Sequence, residues 1–334
     1  MIRLGKHFIP LMAVVLALFG LSACGGSDPK KDYEAFLEEI QAIVTKATDE
    51  NQQNLKQWDD WEEQEHEVPL DAVDSSLEDW QLIWEAAQAK LQEIKVPGSF
   101  GKDQKDLAQK ALDDYQKAFA ALADGFRQYL EARQSDFPTR QPAYQEITKA
   151  ITYFDQGAKR LEKLGNELGV TDKPVPVPGF DVTTDILGRI HGLPALNRAY
   201  DQMVAIVDGP LADWAEDIKK SVGKEEIQAE DLVKFITYAK DEYARRAQEV
   251  KAQPVPFIFT EYERSRFRDL RNSFANYAEA TSNFFGEALN VPADTNSVLF
   301  EIHQANLKRH QQNRDIFASS IKSTYQSLAS TLNR

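Results

Sequence analysis

WQLIWEAAQAKLQEI, residues 80–94, places Trp80, Ile83, Trp84, Ala87, Leu91 and Ile94 at spacings of three and four. That is the period of one helix face, with glutamine, glutamate and lysine turned away from it. Asp74-Ser75-Ser76 precedes the stretch as a cap candidate, and Pro97-Gly98 stops it. The same period recurs outward from here. Downstream, Leu112, Tyr115, Phe119, Leu122, Phe126 and Tyr129 make a second stripe. Ile147, Ile151, Phe154, Ala158, Leu161, Leu164 and Leu168 make a third. Upstream, a long helix is expected over 32–65, with Phe36, Ile40, Ile43, Ala47, Leu55, Trp58 and Trp61 inward and a polar middle, DENQQN. Strand-like alternation is scarce, so the expected class is all-α.

GVTDKPVPVPGFD, residues 169–181, interrupts this pattern. Three prolines at alternate positions forbid a helix and favour an extended, semi-rigid linker. After it the pattern restarts. LKQW at 55–58 matches LADW at 211–214, and KLQEIK at 90–95 matches RAQEVK at 246–251. Both offsets are 156 (211 minus 55, 246 minus 90). Leu112, Phe119 and Phe126 then meet Leu270, Tyr277 and Phe284 at 158 (270 minus 112). The reading is two tandem, related four-helix-bundle-like units of long amphipathic helices, 32–170 and 187–334, joined by a Pro-rich linker at 171–186. The alternative is chance likeness between amphipathic helices.

The first thirty residues carry a different signal. Arg3 and Lys6 form a positive head, Phe8 to Leu21 is apolar, and small residues lead to Cys24, the only cysteine. This order is that of a secretory signal. Its apolar run of 14 residues is short against the ~20 needed to span a bilayer. Leu21-Ser22-Ala23-Cys24 resembles a bacterial lipobox. The resemblance implies a signal peptide at 1–23, cleavage before Cys24, diacylation of its thiol and acylation of the new amino group. Two or three acyl chains anchor stably where one does not. A plain signal peptide with a chance cysteine is the alternative. Residues 24–31 would be the tether, of which the seven after Cys24 reach roughly 25 Å when extended. Gly25 stands where an Asp would resemble an inner-membrane retention signal, which favours the outer membrane in a Gram-negative cell.

Composition narrows the function classes. The chain has 39 Lys and Arg against 53 Asp and Glu, a net charge of -14. Removing 1–23 takes away two cations and no acid, which leaves -16. A body this acidic repels phosphate backbones, so no nucleic-acid partner is expected. With one cysteine no internal disulfide forms. Stability must come from buried apolar area.

No Gly-rich phosphate loop, nucleophile elbow or His-Glu-x-x-His run is present, and neither catalytic residues nor a cofactor are expected. Glu63-Gln-Glu-His66 is a lone Glu-x-x-His, whereas a carboxylate-bridged metal site needs two, so no metal is assigned. The last helix should bury Phe300, His303, Leu307, His310, Phe317, Ile321, Leu328 and Leu332. At an offset of 156 the sister residues of His303 and His310 are Ile147 and Phe154 (303 minus 147, 310 minus 154). Buried imidazoles need partners, and Tyr262, Tyr277 or Asn306 would serve. His303, His310, Tyr262 and Tyr277 are thus a candidate ligand pocket; two satisfied core histidines are the plainer reading. Arg264, Arg268 and Arg271 share a helix face and are candidate anion contacts, or pair with acids on a neighbouring helix. WDDW and WQLIW each set two tryptophans a turn apart, either as core or as an exposed pair able to stack on sugar or grip a partner.

The lipobox, the length and helices such as LNRAYDQMVAIVDG resemble the uncharacterised YiiG-like helical lipoproteins of bacteria. That likeness implies no activity. The expectation is a lipid-anchored envelope protein that binds or scaffolds, with an envelope protein or small ligand as partner and no catalysis. The alternative is a small-ligand or metal receptor using the polar pocket of the second unit.

Overall fold

Asp28 accepts the backbone N–H of Lys30 at 3.1 Å, and Pro29 takes the first helical position, so the first helix starts sharply. The computed structural model describes residues 28–64, 67–135, 139–222, 229–292 and 295–333, without the side chains of 210–222, 229 and 231. Cys24, the signal-like segment and His66 lie outside the described residues. The first unit is α1 (Pro29–Glu62), α2 (Leu70–Glu93), α3 (Lys102–Arg133) and α4 (Gln141–Leu168). A π-turn (Val182–Leu187) and the short α5 (Gly188–Ile190) follow. The second unit is α6 (Gly192–Val222), α7 (Ala229–Lys251), α8 (Glu261–Leu289) and α9 (Val298–Leu332). The fold is all-α, with neighbouring helices packed as bundles.

The periodicity is realised most fully in α3, where all six stripe residues are buried. In α4, Ile151 faces solvent, and Ala150 and Gly157 take the inner positions. Asp74-Ser75-Ser76 is not a cap. The helix begins earlier, after Pro69, so Ser76 lies inside α2 and accepts a bond from Trp58 Nε1 at 2.8 Å.

Helices α3 and α4 approach closely because small residues line their contact. A Cβ on Gly125 would stand 2.3 Å from Ile147 Cγ1 and 3.1 Å from Ala143 O. Gly125→Ala gains up to about 1 kcal/mol in helix propensity. It forces Ile147 and the α4 backbone away at about 1–3 kcal/mol. A net loss is expected, as a lower urea midpoint; a higher midpoint would show that Ile147 yields freely.

The duplication has a structural counterpart, in a register the helix faces alone do not fix. Phe100 N–H donates to Pro97 O at 3.4 Å, and Phe259 N–H to Pro256 O at 3.1 Å. The next residues start α3 and α8, and in each the third helical side chain bonds back to the N-cap N–H; Thr260 also caps Glu263 N–H, which Gly101 has no side chain to do. Gln104 accepts from Gly101 N–H at 2.9 Å, and Glu263 from Thr260 N–H at 2.8 Å. These pairs differ by 159 (256 minus 97, 263 minus 104). At that offset buried Phe267, Leu270, Ser273, Phe274 and Ala278 fall on buried Ala108, Ala111, Asp114, Tyr115 and Phe119. The register of α3 on α8 is therefore one residue from the 158 that the Leu and Phe spacing suggests.

The segment 171–186 is extended through its prolines, but it is packed rather than free. Pro176 O accepts the buried Tyr115 hydroxyl. Phe180 is buried against Trp84 (5.2 Å between ring centroids) and Phe154 (6.4 Å). Val182, Ile186 and Ile190 continue the contact, and Tyr129 donates to Ile190 O at 2.9 Å. The buried apolar residues of both units form one connected core. Among the described residues no helix is long and apolar enough to cross a membrane.

Candidate functional site: the cleft between the units

The connection Gln253–Phe259, between α7 and α8, is gripped by arginines. Arg264 donates to Phe257 O at 2.9 Å, Phe259 O at 3.0 Å and, across the junction, Val68 O at 2.7 Å. Arg271 donates to Gln253 O at 2.7 Å, and Arg133 of α3 to Ile258 O. Arg133 also holds Asp74 at 2.7 Å. Prolines at 254 and 256 cannot donate, and the guanidinium groups satisfy the carbonyls a buried loop would otherwise leave orphaned. This corrects the anion-contact expectation. The oxygens that Arg264 and Arg271 meet are the chain's own carbonyls, and Arg268 is tied to Glu67 at 2.7 Å and Glu261 at 3.2 Å. Burial pulls the pKa of Arg264 and Arg271 down, against the pull of Glu67.

So held, this stretch forms one wall of a cleft of about 300 Å³. The facing walls are Trp61 and Val68 of the first unit and Ala195 and Ala199 of α6. Trp61 is half-buried; its ring lies 5.6 Å from Phe257 and 6.4 Å from Trp58, which is itself wholly buried. Trp80 and Trp84 are also core, so of the two tryptophan pairs only Trp61 presents a surface. The rim is charged but internally paired. Arg189 meets Asp59 at 2.5 Å and Glu62 at 3.4 Å, and Arg198 meets Glu62 at 3.4 Å. The lining is shared evenly between apolar groups and polar ones, Gln64 and Gln202 among them, so the cleft offers an apolar contact beside hydrogen-bonding groups.

The two units also meet at a buried ion pair. Arg140, before α4, donates to Glu263 at 2.7 Å, with the side chains 2% and 0% exposed. Nearby, His191 stacks on Tyr144 at 4.7 Å and accepts the Leu193 N–H at 3.3 Å. Burial, and then the charge of Arg140, push the His191 pKa below its ordinary value of 6.5. Below that value the unfolded chain takes up a proton that the folded chain resists, so stability should fall as pH drops from about 7 to 5. His191→Phe keeps the stack and should flatten that slope in urea midpoints. An unchanged slope would place the titrating group elsewhere.

The pocket expected in the second unit is brought together only in part. His303 Nδ1 lies 2.6 Å from Glu287 Oε1, which also accepts from Asn306 at 2.8 Å. Hydrogen bonds from Asn306 and His303 lower the Glu287 pKa, and the charge of His310 adds to this. Tyr277 carries Arg314 over its ring at 5.7 Å. Tyr262 is elsewhere: it is 43% exposed, in the first turn of α8, whereas Glu287 is near the last. Twenty-five residues of helix separate them by about 37 Å. Among the described residues no three His, Cys, Asp or Glu side chains converge to hold a metal. No known family profile, curated protein or solved structure matches the chain.

Proposed function

We propose that the chain is a lipid-anchored protein of the bacterial envelope, facing the periplasm from the outer membrane in a Gram-negative cell, that acts by binding in the cleft between its two units. The cleft carries this reading: Trp61 and the Pro254–Ile258 stretch offer an apolar contact rimmed by paired charges. The anchor rests on the order of Arg3, Lys6, the apolar run and Leu21-Ser22-Ala23-Cys24, the features that also resemble the YiiG-like lipoproteins. Its test is labelled palmitate, incorporated into the wild type and lost in Cys24→Ser. The binding test is a photo-crosslinker at Ala199, in the cleft, against one at exposed Glu39 on α1. A product specific to Ala199 and weakened by Trp61→Ala supports the cleft; equal products from both sites sink it. A second reading, a small-ligand or metal receptor, draws on the His303–Glu287–Asn306 cluster. It requires zinc binding that His303→Ala and His310→Ala abolish.

A further inference from the structure

The polar groups of the cleft narrow what it can hold. Its charges cancel: Arg189 and Arg198 face Glu62, and Arg189 also holds Asp59. Such a rim selects neither an anion nor a cation. Yet Glu62 keeps capacity to accept, because each of its oxygens meets one guanidinium at 3.4 Å, longer than a good N–H···O bond of about 2.7–3.2 Å. Gln64 and Gln202 are exposed in the lining, and among the described residues neither side-chain amide has a hydrogen-bond partner. Each amide offers donors and an acceptor together.

The wall between α7 and α8 adds acceptors and withholds donors. Arginines take the carbonyls of Gln253, Phe257, Ile258 and Phe259, and the Phe259 N–H takes that of Pro256. The carbonyls of Pro254 and Val255, in the same wall, receive no bond among the described residues. Prolines at 254 and 256 have no N–H, so this wall cannot pair with an extended peptide backbone as a sheet edge does. Against these polar groups stands one aromatic platform. The Trp61 ring is braced by Trp58, with 26° between their planes, and by Phe257, at 66°.

A ligand matched to this set is uncharged, carries donors and acceptors around its edge and has an apolar surface to lay on an indole. A pyranose ring has that form. Its hydroxyls each offer one donor and two acceptor sites, and they surround C–H groups whose slight positive charge suits the negative face of an aromatic ring. An acyl chain would bury the glutamine amides without partners, at a cost. We infer that the cleft takes a neutral saccharide, with a sugar ring against Trp61 and its hydroxyls shared among Glu62, Gln64 and Gln202. The inference rests on the cleft reading above and names the ligand class. A volume of about 300 Å³, at the small end of ligand sites, suits a short stretch of glycan.

The experiment has two arms. In the first, the full chain is titrated by calorimetry with maltotriose and with triacetylchitotriose. Binding of at least one is expected, weakened about tenfold or more by Trp61→Ala and restored by Trp61→Phe. Gln202→Ala should weaken it by about threefold to tenfold, the share of one hydrogen bond. Gln202 is exposed, so its variant separates a lost contact from a lost fold. His303→Ala, outside the cleft, should change nothing. In the second arm, the peptide carrying the photo-crosslinker at position 199 is recovered from cells and the attached mass identified. Attached sugar supports the saccharide even where neither trisaccharide binds. Attached protein, with neither trisaccharide bound, overturns the saccharide and leaves the cleft reading standing. No adduct and no binding overturns both. Trisaccharide binding that Trp61→Ala and Gln202→Ala leave intact lies elsewhere and overturns this inference.

Discussion

Glu263→Ala should lower the unfolding free energy by about 3–5 kcal/mol, the cost of leaving a buried guanidinium without its carboxylate. Glu263 does two jobs from inside the junction. It accepts from Arg140 at 2.7 Å and from Thr260 N–H at 2.8 Å. Its removal uncaps α8 and strands a charge that is 2% exposed. The pair is also incompletely satisfied: among the described residues Arg140 Nε and Nη1 and Glu263 Oε1 lack a hydrogen-bond partner. A buried pair in that condition is poor evidence of net stability, because its desolvation is only partly recovered. Neutralising both ends should therefore cost much less than breaking one. Arg140→Met with Glu263→Gln keeps an acceptor for Thr260 and removes both charges. Its loss in urea unfolding should fall short of the summed single losses by about 1.5–3 kcal/mol. Additive losses would mean that the two groups do not couple.

The sequence carries the helices more clearly than the junction. A helix in a bundle repeats its inward residue every three or four positions, so the α3 stripe is readable from Leu112 to Tyr129 without any partner. The duplication is readable too, but a seven-residue spacing such as Leu112, Phe119 and Phe126 returns to the same helix face after two turns. It can match a sister helix one residue out of step at little penalty. What fixes the step is in the loops, where PGSFGKDQ and PFIFTEYE share a proline, a phenylalanine three later and a capping side chain at the eighth position. Asn51 shows the opposite difficulty. It lies within DENQQN, the polar middle of the expected first helix, yet it is wholly buried, and among the described residues neither of its amide atoms has a hydrogen-bond partner.

The candidate sites were least legible where partners are far apart in the chain. Arg264 reads as one of a surface row, and nothing local announces that its partner is Val68 O, 196 positions away. Arg140 stands in a loop and is paired across 123 positions. The cleft has the same character: Trp61, Arg189, Ala199 and Phe257 come from four separate stretches. Its one local clue was QPVPF, whose prolines require a wall with no N–H to donate at two positions. His303 and His310 did lie near one another, because both are on one helix. Tyr262 did not join them, because the position of a residue along α8 matters as much as the face it occupies.

Trp58→Ala is the other substitution expected to cost about 3–5 kcal/mol, through the cavity left by a large, wholly buried side chain. Its effect should also cross from stability into binding. Trp58 lies 4.5 Å from Trp80 in its own unit and 5.1 Å, edge-on, from Phe257 of the second. Trp61, the half-buried wall of the cleft, stacks on it at 6.4 Å. Removing Trp58 withdraws support from both sides of the cleft at once. Trp58→Phe separates the contributions: it keeps a ring in place and leaves the Ser76 hydroxyl without its donor, at about 1–3 kcal/mol. Trp84→Ala is the control. That residue is equally buried but packs on Phe119 and Phe180, away from Phe257. Both alanine variants should lose similar stability in urea, while only Trp58→Ala should abolish crosslinking from Ala199 at temperatures where both are folded. Equal crosslinking from the two would detach the aromatic pile from the cleft. A loss below about 2 kcal/mol for Trp58→Ala would mean that the junction collapses into the space, and that its packing tolerates far more rearrangement than a fixed wall at Phe257 allows.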